Sequence, residues 1–170
     1  MIHSSKIALG PAQHRLRKQL LNPFLFRLMM FAKVPMAGIA AARIKSLSPE
    51  KAVSTLPFNF INKNPFKSVY FAVQSMAAEL STAVLVMLAI EGVRPSVAFI
   101  VTNMEAVFHK KATSNITFTC EDGEKVFEAV KACTQSSEPV VVRMKTEGRM
   151  ADGTLVSTFY FEWSMKQRKR

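Results

Sequence analysis

The hydrophobic pattern changes period along this chain, and the changes mark out its elements. From Asn64 to Gly92, NPFKSVYFAVQSMAAELSTAVLVMLAIEG, Ala, Leu, Met and Val dominate, with no Gly or Pro between Pro65 and Gly92. That run predicts a long helix, with Asn64 as N-cap, Pro65 at the first helical position and Gly92 as left-handed cap. At 1.5 Å per residue it would be roughly 40 Å long. It is apolar almost all round, so other structure should wrap it. The exception is Glu79, a lone carboxylate among Met76, Ala77, Ala78 and Leu80.

Before this helix, residues 1 to about 12 read as a loose leader ending at Gly10-Pro11. RLRKQLLNPFLFRLMMFAKVPMAGIA follows as two helical pieces broken at Pro23 and Pro35, with Leu21, Phe24, Leu25, Leu28 and Met29 at helical spacing. Two readings of that basic segment are open: an amphipathic helix touching anionic lipid, or a helix packed on the domain with solvated charges. Arg43–Leu47 and Lys51–Phe60 read as a hairpin turned at Ser48-Pro49-Glu50. After Gly92 the pattern becomes strand-like, at Ser96–Phe108 and Ala112–Cys120. A short helix is predicted over Glu121–Cys133, then strands over Pro139–Thr146 and Leu155–Ser164, with Lys166–Arg170 an exposed tail. The order gives an α+β layer architecture, a curved antiparallel sheet around one apolar helix. Residues 1–40 form the N-terminal leader and helical extension, and residues 41–170 the main domain.

Composition narrows the class. An apolar fraction of 49% excludes a disordered chain. Cys120 and Cys133 have no metal-ligand spacing, and His3, His14 and His109 have no constellation around them, so no metal site is expected. A reduced, cytoplasmic protein is the reading, without a secretory signal. The apolar stretch Leu80–Ile90, bounded by Glu79 and Glu91, is too short to cross a bilayer. The net charge of +11 is uneven: eleven Lys or Arg stand against one acid through Lys67, whereas Ser68–Met165 holds eight basic and eleven acidic residues. This suits an anionic ligand or surface. A nucleic-acid binder is poorly supported, because the excess charge is peripheral and has no aromatic interleaving.

The element order from Ala41 to Met165 resembles the hotdog fold. The stretch looks like the phenylacetate-type acyl-CoA thioesterase branch, which carries an Asn before the helix, His-Gly-Gly at its start and an acid two turns on. Asn64 and Glu79 have the spacing of that Asn and that acid, while Tyr70-Phe71-Ala72 stands in the His-Gly-Gly place. The NPF…AEL helix is also similar to an uncharacterised hotdog subfamily lacking His-Gly-Gly. The resemblance implies thioester hydrolysis, with coenzyme A thioester as substrate and no cofactor. Glu79 would be the general base or water-orienting group and Asn64 a positioning group. The backbone amides of Tyr70 and Phe71 would receive the oxyanion. Lys110 and Lys111 are candidates for the coenzyme A phosphates, with Arg143 and Lys145 weaker ones, and Met29, Met30, Met36 and Phe71 could line an acyl pocket. It further implies a homodimer, or a tetramer built from it, with sites between chains.

Alternatives stay open at each residue. Glu79 could instead be a structural carboxylate satisfied by Ser75, Thr82 or a backbone amide, and Asn64 a plain helix cap. A non-catalytic acyl- or lipid-binding hotdog protein is the second functional reading.

Overall fold

A computed structural model describes residues 7–168. The chain runs α1 (Pro11–Leu21), α2 (Pro23–Lys33), α3 (Pro35–Ile39), β1 (Arg43–Leu47), β2 (Ala52–Leu56), α4 (Phe71–Ile90), β3 (Val97–Phe108), β4 (Ile116–Cys120), α5 (Gly123–Gln135), β5 (Val140–Met150) and β6 (Leu155–Gln167). The six strands form one antiparallel sheet in the order β1-β2-β4-β5-β6-β3. The sheet packs along α4, as the apolar pattern predicts.

Proline sets the N-terminal breaks. Each of α1, α2 and α3 starts at a Pro, where the missing N–H costs nothing. Asn22 caps α2, its Oδ1 accepting from the amides of Phe24 and Leu25, both at 3.1 Å. These helices belong to the packed core, since Leu20, Phe26 and Met30 are buried in it. Met1 to Lys6 of the expected leader, and Lys169 and Arg170 of the tail, lie outside the described residues.

The central helix is shorter than its sequence suggests. Asn64 does not cap it: its Oδ1 accepts from the amides of Phe66 (3.0 Å) and Ser68 (3.2 Å), closing a turn in which Lys67 takes a φ of 58°. Tyr70, extended at φ −63° and ψ 135°, is the residue before the first helical turn. Of these two amides, Phe66 is one that a helix from Pro65 would have left for capping, whereas Ser68 would have bonded to the Asn64 carbonyl. The helix ends at Ile90, and Gly92 takes the expected left-handed conformation just beyond, at φ 73°. By length and composition α4 could cross a membrane when Glu79 is included. Eleven of its twenty residues are nevertheless buried within this domain.

Polar stitches hold α4 to the sheet. Ser54 Oγ donates to the Ala77 carbonyl at 2.6 Å, Ser81 Oγ to Thr146 Oγ1 at 2.8 Å, and Trp163 Nε1 to Thr82 Oγ1 at 3.0 Å. Around them Phe118 and Phe159 are fully buried, each worth about 1.5–3 kcal/mol of transfer free energy. Two strands outrun their expected ends. The predicted Glu147-Gly148 connection is strand, with Gly148 facing Ser157 and Phe118. A side chain there would collide with the Phe118 ring, whose Cε1 would be 2.5 Å from its Cβ. Cys120 and Cys133 are both free and buried, and burial pushes the Cys120 thiol up to about 12.

Candidate active site

The loop from Pro57 to Tyr70 arranges the start of α4. Asn62 is fully buried and donates its Nδ2 to the carbonyls of Ala40 and Pro57, both at 2.9 Å. Its own carbonyl accepts the Tyr70 amide at 2.8 Å. The Tyr70 amide is therefore committed to the loop, contrary to its expected oxyanion role. The Phe71 and Ala72 amides, at the first helical positions, have no acceptor within the helix. They point out of a helix end whose partial positive charge favours an anion, and its first turn carries no acid.

A cleft of about 700 Å³ opens between the loop, the start of α4 and the β3–β4 turn. Asn64, Tyr70, Phe71, Lys110 and Lys111 all line it, so the structure brings five of the six expected site residues together. Lys63 and His109 add to the basic rim, and no Asp or Glu among the described residues lines the cleft. On its floor Gln74, buried in the first turn of α4, donates to the Val69 carbonyl and accepts from Ser157 Oγ, each at 3.0 Å. His109 Nε2 lies 3.0 Å from Thr158 Oγ1. Gln74 and His109 escape the sequence reading. For Gln74 the signal was the one that exposed Glu79, a polar side chain on an apolar helix. For His109 there was none, because Thr158 is distant in sequence. Arg143 and Lys145, the weaker phosphate candidates, are taken up elsewhere. Arg143 makes a bidentate pair with Glu105 (2.7 and 2.9 Å) and Lys145 pairs with Glu147 at 2.6 Å, on the outer sheet surface.

Glu79 is not in this cleft. Eight residues after Phe71 it lies about 12 Å further along the helix axis, over a second, apolar groove of about 210 Å³ between α2 and α4. Met29, Met30, Met76, Leu80 and Met87 line that groove, with Lys33 at its side. Met36 faces solvent and Phe71 belongs to the first cleft. The Glu79 carboxylate has no hydrogen bond or ion pair among the described residues. Ser75 Oγ donates to the Phe71 carbonyl and Thr82 Oγ1 to the Glu79 backbone carbonyl, so neither hydroxyl satisfies the carboxylate. Although the side chain reaches solvent, the apolar walls around it raise its pKa above the ordinary carboxylate value. The helix thus carries an amide-rich, basic cleft at its start and an unpaired carboxyl over an apolar groove two turns on.

Residues 23–165 match the model of a family described as a domain of unknown function, DUF4442. The chain belongs to that family. No curated protein matches this DUF4442 chain. Among solved structures it superimposes on a protein of unknown function from Pseudomonas aeruginosa, described as a probable thioesterase, with a TM-score of 0.74 at 18% identity, over 85% of this chain and 95% of that one. A protein of unknown function from Chlorobaculum tepidum gives 0.71 at 12% identity, over 88% and 99%. A thioesterase from Haemophilus influenzae gives 0.63 at 11% identity, over 89% and 95%. The DUF4442 domain therefore has the hotdog fold, as the order of elements implies. The family match begins inside α2, so it takes in part of the segment assigned to the N-terminal extension.

Proposed function

We propose that this protein is an acyl-CoA thioesterase whose site is shared between two copies. The observation that carries the reading is Glu79: a carboxylate with no structural partner, set against a methionine-lined groove suited to an acyl chain. The basic cleft at the start of α4 suits the phosphates and thioester carbonyl of coenzyme A. Since the two lie apart on one helix, a partner protomer has to bring its cleft to this chain's Glu79. The β3 edge supports such pairing. It is one of the two edge strands, with its outer backbone edge unpaired among the described residues and Ile100 and Met104 exposed on it.

In this reading Glu79 takes a proton from water as the water oxygen attacks the thioester carbonyl carbon. The carbonyl electrons move onto oxygen, where the Phe71 amide of the partner's cleft, at the positive end of α4, holds the oxyanion. Collapse breaks the C–S bond, and the proton returns from Glu79 to the departing thiolate. Asn64 holds the loop through its Oδ1, leaving its Nδ2 to position substrate. Lys110 and Lys111 hold phosphate. A reducing cytoplasm is where such a substrate and two free thiols would coexist.

Hydrolysis of a panel of acyl-CoAs by wild type and Glu79→Gln tests this. Loss of about 10²- to 10⁴-fold in kcat is expected from removing a general base; equal turnover by both proteins would refute it. A second reading, acyl binding without turnover, is favoured by one observation: Phe71 and Ala72 put side chains where the thioesterase motif has glycines, and Phe71 is exposed in the cleft. Tight binding with no hydrolysis by either protein would select it.

A further inference from the structure

The outer face of α2 takes no part in the proposed hydrolysis, yet it carries large exposed apolar side chains. Phe24, Leu28 and Phe31 follow one another at i, i+4 and i+7, so they form a single stripe, exposed at 77%, 62% and 42%. The opposite face of α2 is already used, with Phe26 and Met30 buried in the core. A second apolar set stands in the loop before α4, where Phe60 is 82% and Ile61 61% exposed. The two sets are tied together, because Asn62 of that loop donates to the Ala40 carbonyl just after α3. A cation caps each set: the Arg27 guanidinium sits 5.6 Å from the Phe31 ring centroid, and the Lys63 ammonium 4.9 Å from that of Phe60.

Charge decides what covers this face. The first 49 residues hold eight Lys or Arg and no Asp or Glu. A second copy pairing isologously through the same face would bring like charges together, with no acid in residues 1–49 to offset them. An anionic headgroup layer neutralises them instead. Exposed rings flanked by cations have the form of an interfacial anchor, with apolar side chains below the headgroups and charges among them.

We propose that the α2 stripe and the Phe60–Ile61 loop form a docking surface for a bilayer containing anionic lipid. The surface inserts its rings shallowly, and Arg27 and Lys63 contact the headgroups. This is independent of the thioesterase reading, since it concerns binding alone.

The test is co-sedimentation of the full chain with phosphatidylcholine vesicles, with and without phosphatidylglycerol. Binding is expected only with phosphatidylglycerol present, and should weaken as salt rises. Replacing Phe24 and Leu28 together by Ser should weaken it at least about tenfold, given the apolar area withdrawn. Arg27→Gln with Lys63→Gln should weaken it about fivefold per charge. A Phe24→Trp variant should blue-shift its emission on meeting those vesicles. Absence of sedimentation, or equal binding by all variants, overturns the proposal. So does a Phe24/Leu28 variant that changes oligomeric state while binding vesicles normally, which would assign the face to a second copy.

Discussion

A site divided between protomers has a quantitative signature that a site within one chain cannot imitate. Glu79 lies about 12 Å along α4 from Phe71, and the two line different hollows. Consider one variant lacking the carboxylate, Glu79→Gln, and another with the cleft reversed in charge, Lys110→Glu with Lys111→Glu. Each homodimer is defective at both sites. In a heterodimer the two defects fall together at one site, which leaves the other with an intact Glu79 and an intact cleft. Random reassortment of equal amounts makes about half the dimers mixed. With one good site in each, the mixture should recover roughly a quarter of wild-type activity, well above parents each reduced about a hundredfold or more. The assay is acyl-CoA hydrolysis after denaturation and co-refolding of differently tagged chains, with tag capture to establish that mixed dimers form. Captured mixed dimers no more active than their parents would refute the division of the site.

Two further outcomes follow from the packing around named residues. Apolar walls raise the folded-state pKa of Glu79, so its ionised form opposes folding: its contribution favours stability at pH below the unfolded carboxylate value and is lost as pH climbs through the raised one. Glu79→Gln should therefore raise Tm at neutral pH while abolishing turnover, with the Tm difference shrinking in acid; a lower Tm at neutral pH would mean the carboxylate is bonded. Gly123, the first residue of α5, donates its amide to the Glu50 carbonyl at 3.0 Å, and a Cβ there would fall 2.0 Å from the Pro49 carbonyl oxygen. Gly123→Ala should cost about 2–4 kcal/mol from overpacking and the lost hydrogen bond, lowering Tm by roughly 5–15 °C; scanning calorimetry showing less than about a degree of change would refute it.

Much of the fold was legible because periodicity reports burial. The run from Phe71 to Ile90 is mostly apolar, and sheet and helices bury eleven of its twenty residues, while the strands after Gly92 declare themselves by Val, Ile, Thr and Phe. What misled was local chemistry with more than one outlet. Asn64-Pro65 is a good helix start, but Asn64 Oδ1 is equally able to close an Asx turn on Phe66 and Ser68, and the anchoring of Asn62 to Ala40 and Pro57 favours that outlet. Residue types at the site could be named from sequence, whereas their grouping could not. Arg143 resembled a phosphate ligand until Glu105, on β3 across the intervening β6 and far away in sequence, claimed it. Tyr70 offered an amide that Asn62 had already taken.

The separation of Glu79 from the cleft also bears on how such a site persists. The apolar surroundings of Glu79 make its ionised form less favourable than that of a freely solvated carboxylate. Glu79 is carried on a helix whose turns are pinned to the sheet by hydrogen bonds at Ala77, Ser81 and Thr82. The cleft is fixed from the other direction, through Tyr70 and Gln74 to the loop and to β6. In the proposed two-copy site each half would be held within its own protomer, and only their alignment would be left to the contact between copies. Weakening that contact at the β3 edge should therefore remove activity without disturbing either half.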